Sequence, residues 1–303
     1  MPVKYFTILF VFLWATGFIG AGLAMPYAEP FLFMTARFFI AAAILGLWAV
    51  LSGAHWPDKR GMMHAAIVGC LIHGIYLSGV FWAVRHGLPA GMTALVSGLQ
   101  PLITTLIAAL FLREVVVPRQ WLGLLIGFCG VALVVAPKFS LSSGGINPAT
   151  LSAALAAVMA ISIGTVWQKR FAVKIDLKSG TSVQYIAAGV LTGILSLAFE
   201  TQSVIWSPEL LFAMIWLVLV LSIGAIFLLL ILIGQGEVSK VASFFYLVPG
   251  TAALMAYFLF GETLTLIQVA GMVATTFGVA LATLQKKTTG QTKATGQKKK
   301  PAA

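Results

Sequence analysis

PLITTLIAALFLREVVVPRQWLGLLIGFCGVAL (residues 101–133) and PGTAALMAYFLFGETLTLIQVAGMVATTFGVAL (residues 249–281) align without a gap at an offset of 148 residues. Pro101 falls on Pro249, Glu114 on Glu262, Gln120 on Gln268, Gly123 on Gly271, Gly130 on Gly278, and Ala132-Leu133 on Ala280-Leu281. Both copies lie within long apolar runs, so the chain reads as a duplicated membrane protein. Internal duplication of this kind is characteristic of secondary transporters, which bind their solute near the bilayer midplane where the repeats meet.

Composition agrees with that solvent. Hydrophobic residues make up 60 % of the chain and charged residues only 9 %, with a mean hydropathy of +1.02. A soluble domain carries about a quarter charged residues. Ten apolar runs are each long enough for a bilayer core, which takes about 20 helical residues. They are Tyr5–Ala24, Phe31–Leu51, Met62–Val84, Gly91–Leu112, Gln120–Ala136, Pro148–Trp167, Thr181–Phe199, Glu209–Ile233, Val241–Phe260 and Leu266–Leu284. Cys70 and Cys129 both fall in such runs, without metal-ligand spacing, and read as small core residues.

The net charge of +11 does not indicate nucleic acid, because the basic residues sit between the runs and in the tail. With the N-terminus inside, the cytoplasmic side collects Lys4, Lys59, Arg60, Arg113, Arg119, Lys169, Arg170, Lys174, Lys178, Lys240 and the tail lysines. The outer side receives Arg85 and Lys138. The positive-inside rule therefore places both termini in the cytoplasm. Five spans per copy is an odd number, so the second copy must be inverted. The expected architecture is an all-α integral membrane protein of ten transmembrane helices in two inverted five-helix repeats. Residues 1–137 form the first repeat, 138–285 the second, and 286–303 a disordered Lys-rich cytoplasmic tail that is able to touch anionic lipid.

No phosphate loop, His-Glu-x-x-His, Gly-x-Ser-x-Gly or paired intramembrane Asp motif occurs. Of the eight carboxylates, none falls near a span midpoint. His73 is thus the candidate proton carrier, against the plainer reading of a hydrogen-bonded packing residue, and facilitated export is expected. Arg37, six residues into the second span, lies about 9 Å deep at the rise of an α-helix. Either it snorkels to the interface, or it faces the cavity and pairs with a substrate carboxylate.

Pro101 and Pro249 fall near the middle of the fourth and ninth spans and free the carbonyls of Ser97 and Phe245. They read as gating kinks beside a cavity, or as structural kinks. Trp14, Thr16, His73, Tyr76, Ser97, Gln100, Ser162, Thr165, Ser222 and Tyr246 are the polar and aromatic residues near the midplane. Together with Arg37 they are the candidate substrate-binding set. Gly123, Gly127 and Gly130, echoed by Gly271, Thr275 and Gly278, make a small-residue stripe for packing between the halves or for a homodimer contact.

Trp14-Ala15-Thr16-Gly17-Phe18, Arg37-Phe38, and Gly261-Glu262-Thr263-Leu264 followed by Gln268, Gly271 and Gly278 resemble the EamA family of the drug/metabolite transporter superfamily. The first repeat departs from that pattern with Arg113-Glu114 in place of Gly-Glu. The resemblance covers roughly Tyr5 to Leu284. It implies a cavity lined mainly by spans 1, 3, 4, 6, 8 and 9, with spans 5 and 10 as scaffold and no metal or cofactor. It also implies an exporter of small metabolites such as amino acids, working by alternating access in a bacterial-type inner membrane. Multidrug efflux and export of an amino-acid-derived metal chelator are the alternatives. A lipid-modifying membrane enzyme is the rival from another class.

Overall fold

The computed structural model describes residues 3–113, 116–136, 147–224, 228 and 247–283; Glu114, Phe245, Tyr246 and the tail lie outside the described residues. Long helices dominate them: α1 (Val3–Ala24), α2 (Pro30–Leu51), α3 (Lys59–Arg85), α4 (Ala90–Leu112), α5 (Pro118–Val135), α6 (Pro148–Ala172), α7 (Leu177–Phe199), α8 (Pro208–Gly224), α9 (Val248–Phe260) and α10 (Leu266–Thr283). Helices α2, α3, α4, α6 and α7 are long and apolar enough to cross a membrane, and the described parts of the other five are shorter apolar helices.

Local chemistry sets the ends. Proline stands at the start of α2, α5, α6 and α8, where its missing N–H costs nothing. Asp58, Asn147, Asp176 and Ser207 cap α3, α6, α7 and α8 through side-chain oxygens. Helix α9 stops at Gly261 with φ 65°, and α4 stops at the repeat-equivalent Arg113 with φ 55°. The first repeat therefore makes the same left-handed bend without a glycine, at about 1 kcal/mol.

Helices α5 and α10 pack along their length and run antiparallel. Gln120 Nε2 donates to the Ala282 carbonyl at 3.2 Å, and Gln268 Nε2 donates to the Val134 carbonyl at 3.2 Å. Each glutamine also accepts at Oε1 from an amide preceding its own helix, Val117 at 2.9 Å and Thr265 at 3.0 Å. Shifting each bond by 148 residues turns it into the other, as an inverted pair requires. The glycine stripe is consumed here. A Cβ on Gly130 would lie 2.5 Å from the Thr275 nitrogen and 2.7 Å from the Gly271 oxygen. The stripe thus meets its counterpart within one chain, and the homodimer reading of these glycines is set aside. Cys129, on the same helix, is exposed on the outer surface of the bundle and not in the core.

The outside of the bundle is apolar: Leu110, Phe111, Leu197, Phe199 and Leu266 are among the exposed side chains, as lipid contact demands. Inside, α3 is π-helical over Gly69–Leu77 and α8 over Trp216–Gly224. These stretches are nearly repeat-equivalent, and π segments are common at functional sites.

Candidate functional site

The π segments, with α1, α2, α6 and α7, surround a cavity of about 240 Å³. Each wall has a local cause. Gly69 lets α3 approach the backbone of Gln184, which a Cβ would strike. That contact brings His73 within hydrogen-bonding reach of the Gln184 side chain. The His73 ring lies 4.4 Å from Tyr185 and 6.2 Å from Phe38, and Phe38 stacks on Tyr185 at 5.8 Å. The Tyr76 hydroxyl faces Ser97, and that of Tyr185 faces Ser222.

Arg37 reaches this cavity and does not snorkel: it is 4 % exposed. Its Nη2 donates to Ser222 Oγ at a long 3.4 Å, and its Nε has no partner among the described residues. No described carboxylate pairs with it; the ionisable groups beside it are Tyr185 and His73. Burying a cation without a counter-ion is costly in a membrane and is kept for function.

Among the expected residues, Trp14, Arg37, His73, Tyr76 and Ser222 line the cavity. Ser97 is not in the wall but stands beside Tyr76, which is. Thr16 does not line it: its hydroxyl accepts from Trp216 Nε1 at 2.8 Å and donates to the Leu13 carbonyl at 2.5 Å, pinning α1 to α8. Ser162 donates to the Gln100 carbonyl at 3.3 Å, and Thr165 bonds its own helix at the Ile161 carbonyl at 2.7 Å. Both hydroxyls serve the backbone, and Gln100 is not in the cavity wall. Tyr246 is outside the described residues.

Helix α7 is the correction to the expected lining. Thr181, Gln184 and Tyr185, with Gln168 at the end of α6, face the cavity, and α2 contributes Arg37. Spans 4 and 9 supply no wall residue among those described. The signal was present in the sequence as Thr181, Gln184 and Tyr185, spaced three and four apart in an otherwise apolar run.

Pro101 breaks α4, which runs helical over Ala90–Ser97 and again over Gln100–Leu112. A Cβ on Gly98, inside that break, would stand 2.9 Å from Pro249 Cγ. The two proline sites therefore meet across the repeats, closing the space between α4 and α9.

The two ends of the bundle differ. At the acidic end, Glu200 accepts from the amides of Phe31 (2.7 Å) and Leu32 (2.8 Å), and Glu262 from those of Ala90 (2.8 Å) and Gly91 (3.0 Å). Glu29 accepts from the amides of Thr201 and Ser203 and the Thr201 hydroxyl. Ala28 bridges to Val204, and the Ile205 amide donates to the Tyr27 carbonyl at 2.7 Å. Burial acts to raise the Glu29 carboxyl, but these hydrogen bonds outweigh it and hold the group below its ordinary value. The cavity lies away from this zipped end, with Gln168 and Leu177 on its margin towards the opposite, basic end.

The EamA-like transporter family matches residues 3–136 and 149–284, one match per repeat. The uncharacterized inner membrane transporter YedA of Escherichia coli (strain K12) is 27 % identical over 281 residues, covering 90 % of this chain and 88 % of that one. A protein named S-adenosylmethionine uptake transporter from Rickettsia bellii (strain RML369-C) is 25 % identical over 232 residues, 75 % of this chain and 74 % of its own. A solved crystal structure superposes with a TM-score of 0.66 at 20 % identity, covering 93 % of this chain and 96 % of the other, which shows the shared fold.

Proposed function

Since the chain belongs to the EamA-like transporter family and is a multi-pass membrane transporter, we propose that it moves a small metabolite bearing a carboxylate, an amino acid or a derivative of one. It does so by alternating access through the Arg37 cavity, across an inner membrane, in the direction of export. The observation that carries this reading is the buried guanidinium with an unpartnered Nε in a cavity that otherwise offers aromatic rings and uncharged hydrogen-bonding groups. A substrate carboxylate supplies the missing counter-charge. Tyr185, Ser222 and Gln184 are placed to orient it, while Trp14 and Tyr76 offer apolar surface. A cavity of about 240 Å³ is below the 300–1,000 Å³ of pockets that hold drug-sized ligands, and a fixed cation repels cationic drugs. Both points favour a metabolite over multidrug efflux.

The acidic end, with few Lys and Arg, is the outer one under the positive-inside rule. The arrangement is then closed outside, with Gly98 at the break before Pro101 packed on Pro249 where the outward path would open. YedA is named an inner membrane transporter, which supports the location. The Rickettsia relative is named for uptake, so direction rests on the gradient the solute meets, as in a facilitator.

The test is efflux of preloaded radiolabelled amino acids from proteoliposomes of the pure protein, with and without a pH gradient. Saturable efflux of one amino-acid class is expected. In Arg37→Gln the affinity for the free acid falls about 10- to 100-fold, the worth of a hydrogen bond to a charged group, and the discrimination between acid and methyl ester disappears. Equal transport of acid and ester by the unaltered protein sinks the carboxylate reading. His73→Ala leaves efflux intact and insensitive to the pH gradient; loss of efflux at normal expression overturns the facilitator view.

A further inference from the structure

A second cavity, of about 420 Å³, lies at the basic end between the α2–α3 and α6–α7 connections. Its wall carries Arg60, Arg170 and Lys174, and also Asp58 and Asp176. The two carboxylates are already engaged. Asp58 accepts from the Gly61 amide at 2.8 Å, and Asp176 from the amides of Lys178 and Ser179 at 2.9 and 3.2 Å. Each therefore faces a helix N-terminus worth about half a positive charge. The cations have no such partner: the Arg170 guanidinium lies over the Phe171 ring at 5.7 Å, and no described carboxylate pairs with Arg60 or Lys174. Buried beneath them, His64 stacks on Phe171 at 4.9 Å, and its Nδ1 has no partner among the described residues.

We propose that this cavity binds a phosphate group, and that its source is the headgroup of an anionic phospholipid in the leaflet facing the basic end. The polar wall alone fits any small oxyanion. What selects a lipid is the setting: Trp56 and Phe171, on the wall itself, are each 43 % exposed beside the cations. Aromatic side chains of this kind sit at the headgroup level, and basic pockets between helices on the cytoplasmic side hold anionic headgroups. The bound headgroup would tie the α2–α3 connection to the α6–α7 connection, one from each repeat, next to the margin of the Arg37 cavity.

The test is native mass spectrometry of the full-length protein released from detergent micelles doped with phosphatidylglycerol or with phosphatidylcholine, alongside a titration with inorganic phosphate. Preferential retention of phosphatidylglycerol is expected, weakened about fivefold for each cation removed and roughly 30-fold in Arg170→Gln/Lys174→Gln. Displacement of the lipid by millimolar phosphate, sensitive to the same double variant, keeps the site but assigns it to a free anion. Equal retention of the two lipids with no phosphate binding overturns the proposal, as does a double variant that keeps full phosphatidylglycerol selectivity. Asn147→Gln, at the far end of α6, controls for general loss of structure and leaves retention unchanged.

Discussion

Where α5 crosses α10 there is no room for a single extra carbon, whereas where α3, α7 and α8 converge there is room for a molecule. The seam is made from glycines and two glutamines that repeat at 148 residues and bond each other's helix ends. The cavity is made from side chains that do not repeat: Arg37 and Tyr185 stand at each other's equivalent positions, and His73 has Leu221 at its own. Duplication thus supplies the frame twice, and divergence of the copies supplies the chemistry once. One site on a pseudo-symmetric frame is what alternating access needs, since a single solute must be approached from either end.

Overpacking the seam has the largest expected effect. Gly130→Leu drives a branched side chain into the backbone of Gly271 and Thr275, an insertion that costs several times the about 1–3 kcal/mol of ordinary overpacking. No monodisperse protein should be recovered by size exclusion. Gly250→Ala, where the nearest atom to a new Cβ is 4.0 Å away, should leave the elution profile and melting temperature unchanged. A stable Gly130→Leu protein would show that the halves can separate without loss of the fold.

Altering the cavity should spare the fold and touch only transport. Tyr185→Phe removes the hydroxyl that faces Ser222 and a hydrogen-bonding group that would meet the substrate beside Arg37. A lost hydrogen bond of about 0.5–1.5 kcal/mol raises KM roughly 2- to 12-fold while the melting temperature stays put. An unchanged KM removes the Tyr185 hydroxyl from the substrate site.

The same contrast decides what the sequence discloses. Proline and glycine act on the backbone at their own position, so the break at Pro101 and the α5–α10 stripe were legible without neighbours. The alignment also disclosed that Arg113 stands where Gly261 does, and both bend left-handed. Which way a hydroxyl points depends on helix rotation, and apolar runs with weak periodicity do not report it. Thr16, Ser162 and Thr165 were consequently assigned to the cavity although each is spent on a tryptophan or a carbonyl. Gln184 and Tyr185 were missed for the same reason. The π segments add to the difficulty, since they rotate the residues beyond them out of the register that a 3.6-residue period assigns.

The acidic end offers a subtler probe of frame against site. Glu262, a repeat-conserved position by alignment with Glu114, holds the first amides of α4, so it joins the frame to a helix that bends at Pro101. Glu262→Gln keeps an acceptor but loses the charge. Hydrogen exchange at the Ala90 and Gly91 amides should accelerate about 10-fold, within the range for a hydrogen bond to a charged group, with little change in melting temperature. Unaltered exchange at those amides means that Glu262 contributes nothing to closure.

Glu29 should show the smallest effect, and one that depends on pH. Burial opposes its ionisation, yet the amides of Ser203 and Thr201 and the Thr201 hydroxyl favour the carboxylate more, leaving the group below the ordinary 4.5. A depressed carboxyl stabilises the folded state at pH above 4.5 and loses that contribution as pH falls through the lowered value. The melting temperature of Glu29→Gln should therefore lie slightly below that of the unaltered protein at pH 6, and the two should converge once the pH has fallen below the lowered value. Because the carboxyl lies at the water-exposed surface, the gap is small. A gap that persists unchanged at low pH assigns the loss to the geometry of the 27–32 and 200–205 segments, and not to the Glu29 charge.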